Sequence, residues 1–467
     1  VSGPAGASDA PEPPRPATRP EGASVWRRIR LARRDLFSAQ PARLYRAWMA
    51  EQRTPFYRSY VVNQPELVRL ILQDRPADFP KSEIIGATLR QMLGRSVFVT
   101  NGPEWEAQRR IIDPAFAGGR LARVLPAMQA AGDRALARLD AQAGAALEVE
   151  AETARLAADI IFRTLFSVPI EDRAAAAVFQ AFRAYQRAQP LMVWADLLRL
   201  PAWVPRRRSR RQARAATEIR SLIGAMVTQR AAEIEAGTAP DDLATRIMVT
   251  PDPETGRRFD TQEMADQVAI FFLAGHETSA SALAWGLYLL ATAPQVQARA
   301  RAEVDAVLGD RAPEMADLRR LEQVTAVFRE TLRLYPPVPM MVRETVQPEH
   351  WRDRDIPRGS LAILSAFHLH RHERLWDRPH AFDPDRWLAD RPASAQTDAY
   401  MPFSKGPRIC PGAGFAMIEG VMMLALVLRR FEIEAVGPPP RPVAHLTLRA
   451  ADGIHLRFRP RGGSAAV

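Results

Sequence analysis

The 467-residue chain holds a single cysteine, Cys410, and only two lysines, Lys81 and Lys405. One cysteine excludes an intramolecular disulfide, a paired-cysteine redox motif and any multi-cysteine zinc or iron–sulfur centre. Two roles remain for Cys410, a small buried filler or a special ligand. With so few lysines, the 64 basic side chains are almost all arginine, against 53 acidic ones. The net charge of +11 favours acidic partners or anionic surfaces, although so lopsided a choice of cation reads as coding bias more than a binding code. No zinc-finger, RNP or basic-zipper pattern accompanies the charge, which argues against nucleic acid. No clean membrane span is visible either, because His276, Glu277 and Thr278 interrupt the longest apolar stretch. Residues 1–24 contain six prolines and almost nothing apolar. They read as a disordered tail with neither a signal-peptide core nor an amino-terminal anchor.

What is present is ordinary globular composition, 47% hydrophobic and 25% charged. Length alone allows roughly three domains, but no interior linker or repeat divides the chain, so residues 25–467 are expected to form one domain. The segment from Trp26 to Arg34 suggests a short basic helix. From about 120 to 335 the alanine, leucine, arginine and glutamate content is good helix chemistry. The clearest helix starts at Asp260, with Glu263 completing a capping box, and stops before Pro294. Its middle is apolar on nearly every side, which predicts a helix buried through the core. Beyond 336 the pattern changes to proline clusters and short apolar runs such as Leu361–Leu364, then a helix over about 413–430 and a β tail over about 443–459. The expected fold is mainly α with a small β lobe.

The segment Phe403-Ser404-Lys405-Gly406-Pro407-Arg408-Ile409-Cys410-Pro411-Gly412 presents the cysteine on a glycine- and proline-rich loop just before an apolar helix. Amide donors of the following turn and the nearby Arg408 both favour a thiolate there. This segment resembles the FxxGxRxCxG signature of the cytochrome P-450 monooxygenases, with every fixed position present. Ala274-Gly275-His276-Glu277-Thr278 is similar to [AG]Gx[DE]T, Glu330-Thr331-Leu332-Arg333 to ExxR, Phe382–Trp387 to the meander that supplies a further arginine, and Trp105–Arg109 to WxxxR. The resemblance spans about residues 40–460 and implies a cytochrome P-450 fold with a long central helix across a buried haem b. It implies that Cys410 is the iron ligand, with Phe403, Gly406 and Gly412 shaping its loop and Ala274 and Gly275 opening the helix opposite. Trp105, Arg109, Arg343 and Arg408 would neutralise the haem propionates. Glu277 and Thr278 would form an acid–alcohol pair that delivers protons, although a threonine bonded back to its own helix is the bland alternative. Glu330, Arg333 and Arg386 would hold the haem loop. Pro411 has no N–H, so the position after the ligand gives no hydrogen bond to sulfur; a more electron-rich thiolate is expected.

The same resemblance assigns Ile84, Ile85, Leu89, Met92, Phe98, Phe272, Val338, Met340 and Met341 to an apolar substrate pocket suited to a lipophilic ligand. The stretch Leu191–Trp203, followed by six arginines between 206 and 214, would be a lid able to touch an anionic membrane weakly. The chain is otherwise expected in the cytoplasm. It ends soon after the haem helix and its tail, so electrons are expected from a separate ferredoxin and ferredoxin reductase, or a flavodoxin. Hydroxylation or epoxidation of a fatty-acid, terpenoid or carotenoid-like substrate is the main expectation. A peroxide-driven peroxygenase or isomerase and a non-enzymatic haem sensor or lipophile carrier are the rivals. His368, His370 and His372 alternate as in some metal sites, but no carboxylate or cysteine motif completes one, which favours structural histidines.

Overall fold

A computed structural model of the chain describes residues 11–24, 27, 30–31, 35–53, 57–187, 210–388 and 396–462. The basic segment 26–34 and the lid segment 191–203 fall largely or wholly outside these residues. The longer helices are α1 (Glu83–Leu93), α2 (Gly102–Ile112), α3 (Leu125–Ala141), α4 (Val149–Phe166), α5 (Arg173–Arg187), α6 (Arg210–Glu235), α7 (Thr261–Ala291), α8 (Pro294–Leu308), α9 (Glu322–Leu334) and α10 (Ala413–Arg430). The strands are short: β1 (Met49–Arg53), β2 (Arg58–Val62), β3 (Ala146–Glu148), β4 (Met341–Glu344), β5 (Glu349–Trp351), β6 (Arg354–Ile356), β7 (Leu361–Leu364), β8 (Phe431–Ala435), β9 (Pro442–Ala444), β10 (Leu448–Ala450) and β11 (His455–Pro460).

Helix α7 is the axis. Asp260 accepts from the Glu263 N–H and Glu263 answers at the Asp260 N–H, so the capping box read from the sequence is formed. Its 31 residues make a rod about 46 Å long, buried on most sides and packed between α4, α6 and α10. Small residues let the helices close on one another. A Cβ on Gly420 of α10 would meet the Phe328 ring of α9 at 2.1 Å, whereas one on Gly286 of α7 would stand in ordinary contact, 3.5 Å from the Thr331 hydroxyl of α9. Ser279 of α7 hydrogen-bonds Glu419 of α10 at 2.6 Å, and Gly286 lies near Leu424. Both helices therefore advance together, and stepping back along α7 from Ser279 to Ala274 leads toward the start of α10 and Cys410.

The larger sheet runs β1-β2-β7-β4, with β2 and β7 parallel and the other pairs antiparallel. A second sheet, β3-β11-β8, ties the carboxy-terminal tail to the start of α4. One reading from the sequence needs correction. Residues 11–24 are not a loose tail: the Pro11 carbonyl accepts the Phe382 N–H at 3.0 Å, the Pro14 carbonyl accepts the Tyr335 hydroxyl at 2.8 Å, and Arg19 bridges to Gln40. Proline already restricts the chain, so little entropy is lost on docking. The three histidines do not share a strand face, because Ala366–Leu369 is a helical turn. His368 bonds Ser365, His370 bridges the Met401 N–H and the Arg333 carbonyl, and His372 stacks on Trp48. No metal-binding cluster occurs among the described residues.

Candidate active site

The loop before α10 is shaped around Cys410. Gly406 has φ +70° and a Cβ there would stand 2.0 Å from the Leu72 carbonyl, so only glycine lets the loop sit against that backbone. The Phe403 carbonyl accepts the Cys410 N–H at 2.9 Å. The Cys410 side chain is reachable by solvent yet ringed closely by protein. Burial pushes its thiol up, while the Gly412 N–H and the Arg109 guanidinium pull it down. Pro411 offers no donor, and Gly412 supplies the bond instead.

Beside this loop stands a cluster of cations around one indole. Arg408, Lys81 and Arg109 lie 5.2, 5.6 and 5.8 Å from the centre of the Trp105 ring. Arg343 joins them because Lys81 and Arg343 pair in an isolated β-bridge. Arg109 reaches the Ile409 carbonyl at 2.7 Å and pairs with the half-exposed Asp113. Arg408 donates to the Pro76 carbonyl, Arg343 to the Val342 carbonyl and Lys81 to the Val97 carbonyl. Among the described residues, none of these three meets a carboxylate within salt-bridge distance, and the Nε atoms of Arg343 and Arg408 are buried without partners. Burial together with Arg343, Arg408 and Arg109 pushes the Lys81 ammonium down to about 6. Burial and Arg408 push Arg343 down to about 10. Sequence reasoning missed Lys81; its rarity in an arginine-rich chain was the available signal.

Glu330, Arg333 and Arg386 meet in a fully buried network. Arg333 pairs with Glu330 at 2.7 Å and donates to the carbonyls of His370, Pro379 and Ala381. Glu330 also accepts from Arg386, from the Asp383 N–H and from Trp387. Every strand of this knot is charge-assisted, and it fixes the meander relative to α9.

On α7, Ala274 is exposed and Thr278 partly so, although most of their neighbours are buried. A Cβ on Gly275 would meet Ile161 at 2.4 Å, which sets α7 hard against α4. The Thr278 hydroxyl donates back to the Ala274 carbonyl. Glu277 turns the other way: its Oε1 accepts from Thr447 and from Arg449, beside and on β10. Of the expected pocket residues, Phe98 (39%) and Val338 (37%) are exposed, and Ile84, Ile85, Met340 and Met341 are half-buried. Leu89, Met92 and Phe272 instead sit in the core, Phe272 between Phe162, Phe182 and His276. Their helices turn these side chains inward, a rotation that the apolar pattern of the sequence does not fix.

The sequence profile described as Cytochrome P450 matches residues 42–456. The chain belongs to the cytochrome P450 family. It is 33% identical over 384 residues to the cyclooctat-9-en-7-ol 5-monooxygenase of Streptomyces melanosporofaciens, covering 81% of each chain. It is 31% identical over 424 residues to the chloroplastic protein Lutein deficient 5 of Arabidopsis thaliana, covering 86% of this chain and 70% of that one. The crystal structure of the cytochrome P450DA heme domain superposes with a TM-score of 0.82 at 24% identity, over 96% of this chain and 98% of the other. This P450 is therefore a haem-thiolate monooxygenase, and its residues fit the cofactor. Three cations that meet no carboxylate among the described residues, with Arg109 beside them paired to Asp113, suit a group bearing two carboxylates, and Cys410 is reachable beside them. Cys410 would hold the iron, and Lys81, Arg109, Arg343 and Arg408 with Trp105 would hold the acidic edge. No helix among the described residues is long and apolar enough to cross a membrane.

Proposed function

We propose that this P450 carries haem b and hydroxylates or epoxidises a lipophilic terpenoid- or carotenoid-class substrate, with electrons delivered by a separate ferredoxin and its reductase or by a flavodoxin. The observation that carries the reading is the cation cluster around Trp105 beside a reachable Cys410. The substrate class is supported by the activity named for the cyclooctat-9-en-7-ol 5-monooxygenase, by the name of Lutein deficient 5 and by the apolar side chains of Ile84, Ile85, Phe98, Val338 and Met340. When bound, haem with a thiolate ligand supplies the activation of dioxygen.

The chain's own residues supply the rest. Ala274 presents no bulk on the open side of α7. Glu277, tied to the half-exposed Arg449, would take protons from solvent; passing them to Thr278 would require both side chains to turn, since Glu277 faces Thr447 and Arg449 and the Thr278 hydroxyl bonds back to the Ala274 carbonyl. The chain's net positive charge would favour an acidic electron carrier. The cytoplasm, with weak contact at an anionic membrane, is the proposed setting. The decisive test is the carbon monoxide difference spectrum of the reduced protein beside Cys410→Ala. A thiolate-type red-shifted Soret band lost in the variant is expected; a histidine-type spectrum in both would overturn the ligand assignment. Spin-state shifts with diterpene alcohols and carotenes, against a fatty-acid panel, then test the substrate class.

A further inference from the structure

Asp266, near the start of α7, is a carboxylate only 5% exposed and shared by separate parts of the chain. Its Oδ1 faces Arg220 Nη2 of α6 at 2.8 Å and accepts from Gln262 at 3.1 Å. Its Oδ2 accepts the Arg95 N–H at 2.7 Å. The other arm of Arg220 reaches the Met92 carbonyl, in the last turn of α1, at 3.3 Å. Gly94 closes α1 with φ +53°, and a Cβ there would stand 2.1 Å from the Asp266 carboxylate, so this corner is built around that group. The next residue of α7 continues the attachment: Gln267 accepts the Val97 N–H at 2.9 Å, and the Val97 carbonyl carries the Lys81 ammonium at 2.6 Å. The loop held in this way carries Phe98, exposed between half-buried Val97 and buried Val99, and α1 carries Ile84 and Ile85.

We propose that Arg220 and Asp266 form a clasp that fastens α6 and the end of α1 to α7, and that this clasp governs how long a bulky lipophilic substrate stays inside. Arg220 is the only cation within salt-bridge distance of Asp266 among the described residues. Lifting α6 away leaves a buried carboxylate with neutral donors alone, and that cost holds the corner shut. Once the corner opens, Ile84, Ile85 and Phe98 lose their fixed position together. The inference rests on reading this interior as the substrate site. It makes Arg220 and Asp266 positioning residues, since neither need touch the reacting atoms.

The experiment uses the haem-loaded protein and two iron-ligating probes of different size, imidazole and clotrimazole, with release followed by stopped-flow absorbance. Arg220 is part-exposed, so Arg220→Gln should fold even if Asp266→Asn does not. In Arg220→Gln, clotrimazole release should quicken about tenfold, the worth of one charge-assisted hydrogen bond, with imidazole release almost unchanged. Arg220→Lys, which keeps the charge but not the fork, should lie between. Hydrogen exchange of α1 and residues 92–98 should quicken in step. Unchanged clotrimazole release, or equal acceleration of both probes, overturns the clasp. Absence of any azole-induced spectral shift would count against the haem-thiolate reading instead, and hydrogen exchange then decides the clasp alone: no change there overturns it.

Discussion

Lys81 shows how one residue can join a cluster that no local motif in the sequence announces. Arg408 and Cys410 announce themselves through fixed spacing on one loop. Arg343 is reached by resemblance, and Lys81 only by the pairing of distant backbone, since it meets Arg343 across an isolated bridge. With only protein groups around it, Lys81 is pushed down to about 6 by burial and by three arginines. An unfolded chain keeps a lysine protonated up to about pH 10. The unfolded state thus binds the extra proton between about pH 6 and 10, and stability from this group rises with pH across that window and is lost as pH falls through about 6. Two carboxylates placed among the four cations restore the ammonium. Haem loading near pH 8 should therefore take up a proton that Lys81→Met does not. Calorimetry of loading in buffers of different ionisation enthalpy measures this directly; equal uptake in both proteins would place the proton on another group.

At the scale of elements, α7 was legible almost to the residue, because its capping box and Pro294 are local signals and its apolar middle has one reading. The knot of Glu330, Arg333 and Arg386 was legible from motif alone. Helix rotation was not: the apolar pattern does not say which side chains of α1 and α7 pack into the core, as Leu89, Met92 and Phe272 do. The crossing of α7 and α10 was also invisible, and it buries a carboxyl. Glu419 is pushed up to about 8 by burial, partly offset by the Ser279 hydroxyl. A carboxyl raised in the folded state stabilises it fully below the unfolded value near 4.5 and loses that contribution as pH rises through about 8. Between pH 6 and pH 9 the melting temperature of Glu419→Gln, which keeps the shape and the bond to Ser279, should rise relative to that of the native protein. Parallel pH dependence in thermal scans of the two proteins would show that the crossing does not hold a protonated acid.

At the scale of the whole molecule, composition and motif order foretold a mainly helical body with a small β lobe. They misjudged the start of the chain, since low hydrophobicity says nothing about whether main-chain carbonyls find donors elsewhere. The segment 11–24 closes over the junction of α9 and the meander through Pro11 and Pro14. Deleting residues 1–20 should lower the melting temperature by about 2–6 °C, as the loss of two or three hydrogen bonds implies; a truncated protein melting with the full chain would return the segment to the status of a tail. The scarcity of lysine has its own consequence. Its two amines flank the site, Lys81 in the cation cluster and Lys405 on the cysteine loop, while arginine carries the charge elsewhere. Across these 467 residues, an amine-directed isotope tag or cross-linker finds side-chain amines at these two places alone, so a surface-wide labelling reagent becomes, over this stretch, a local probe of its chemistry.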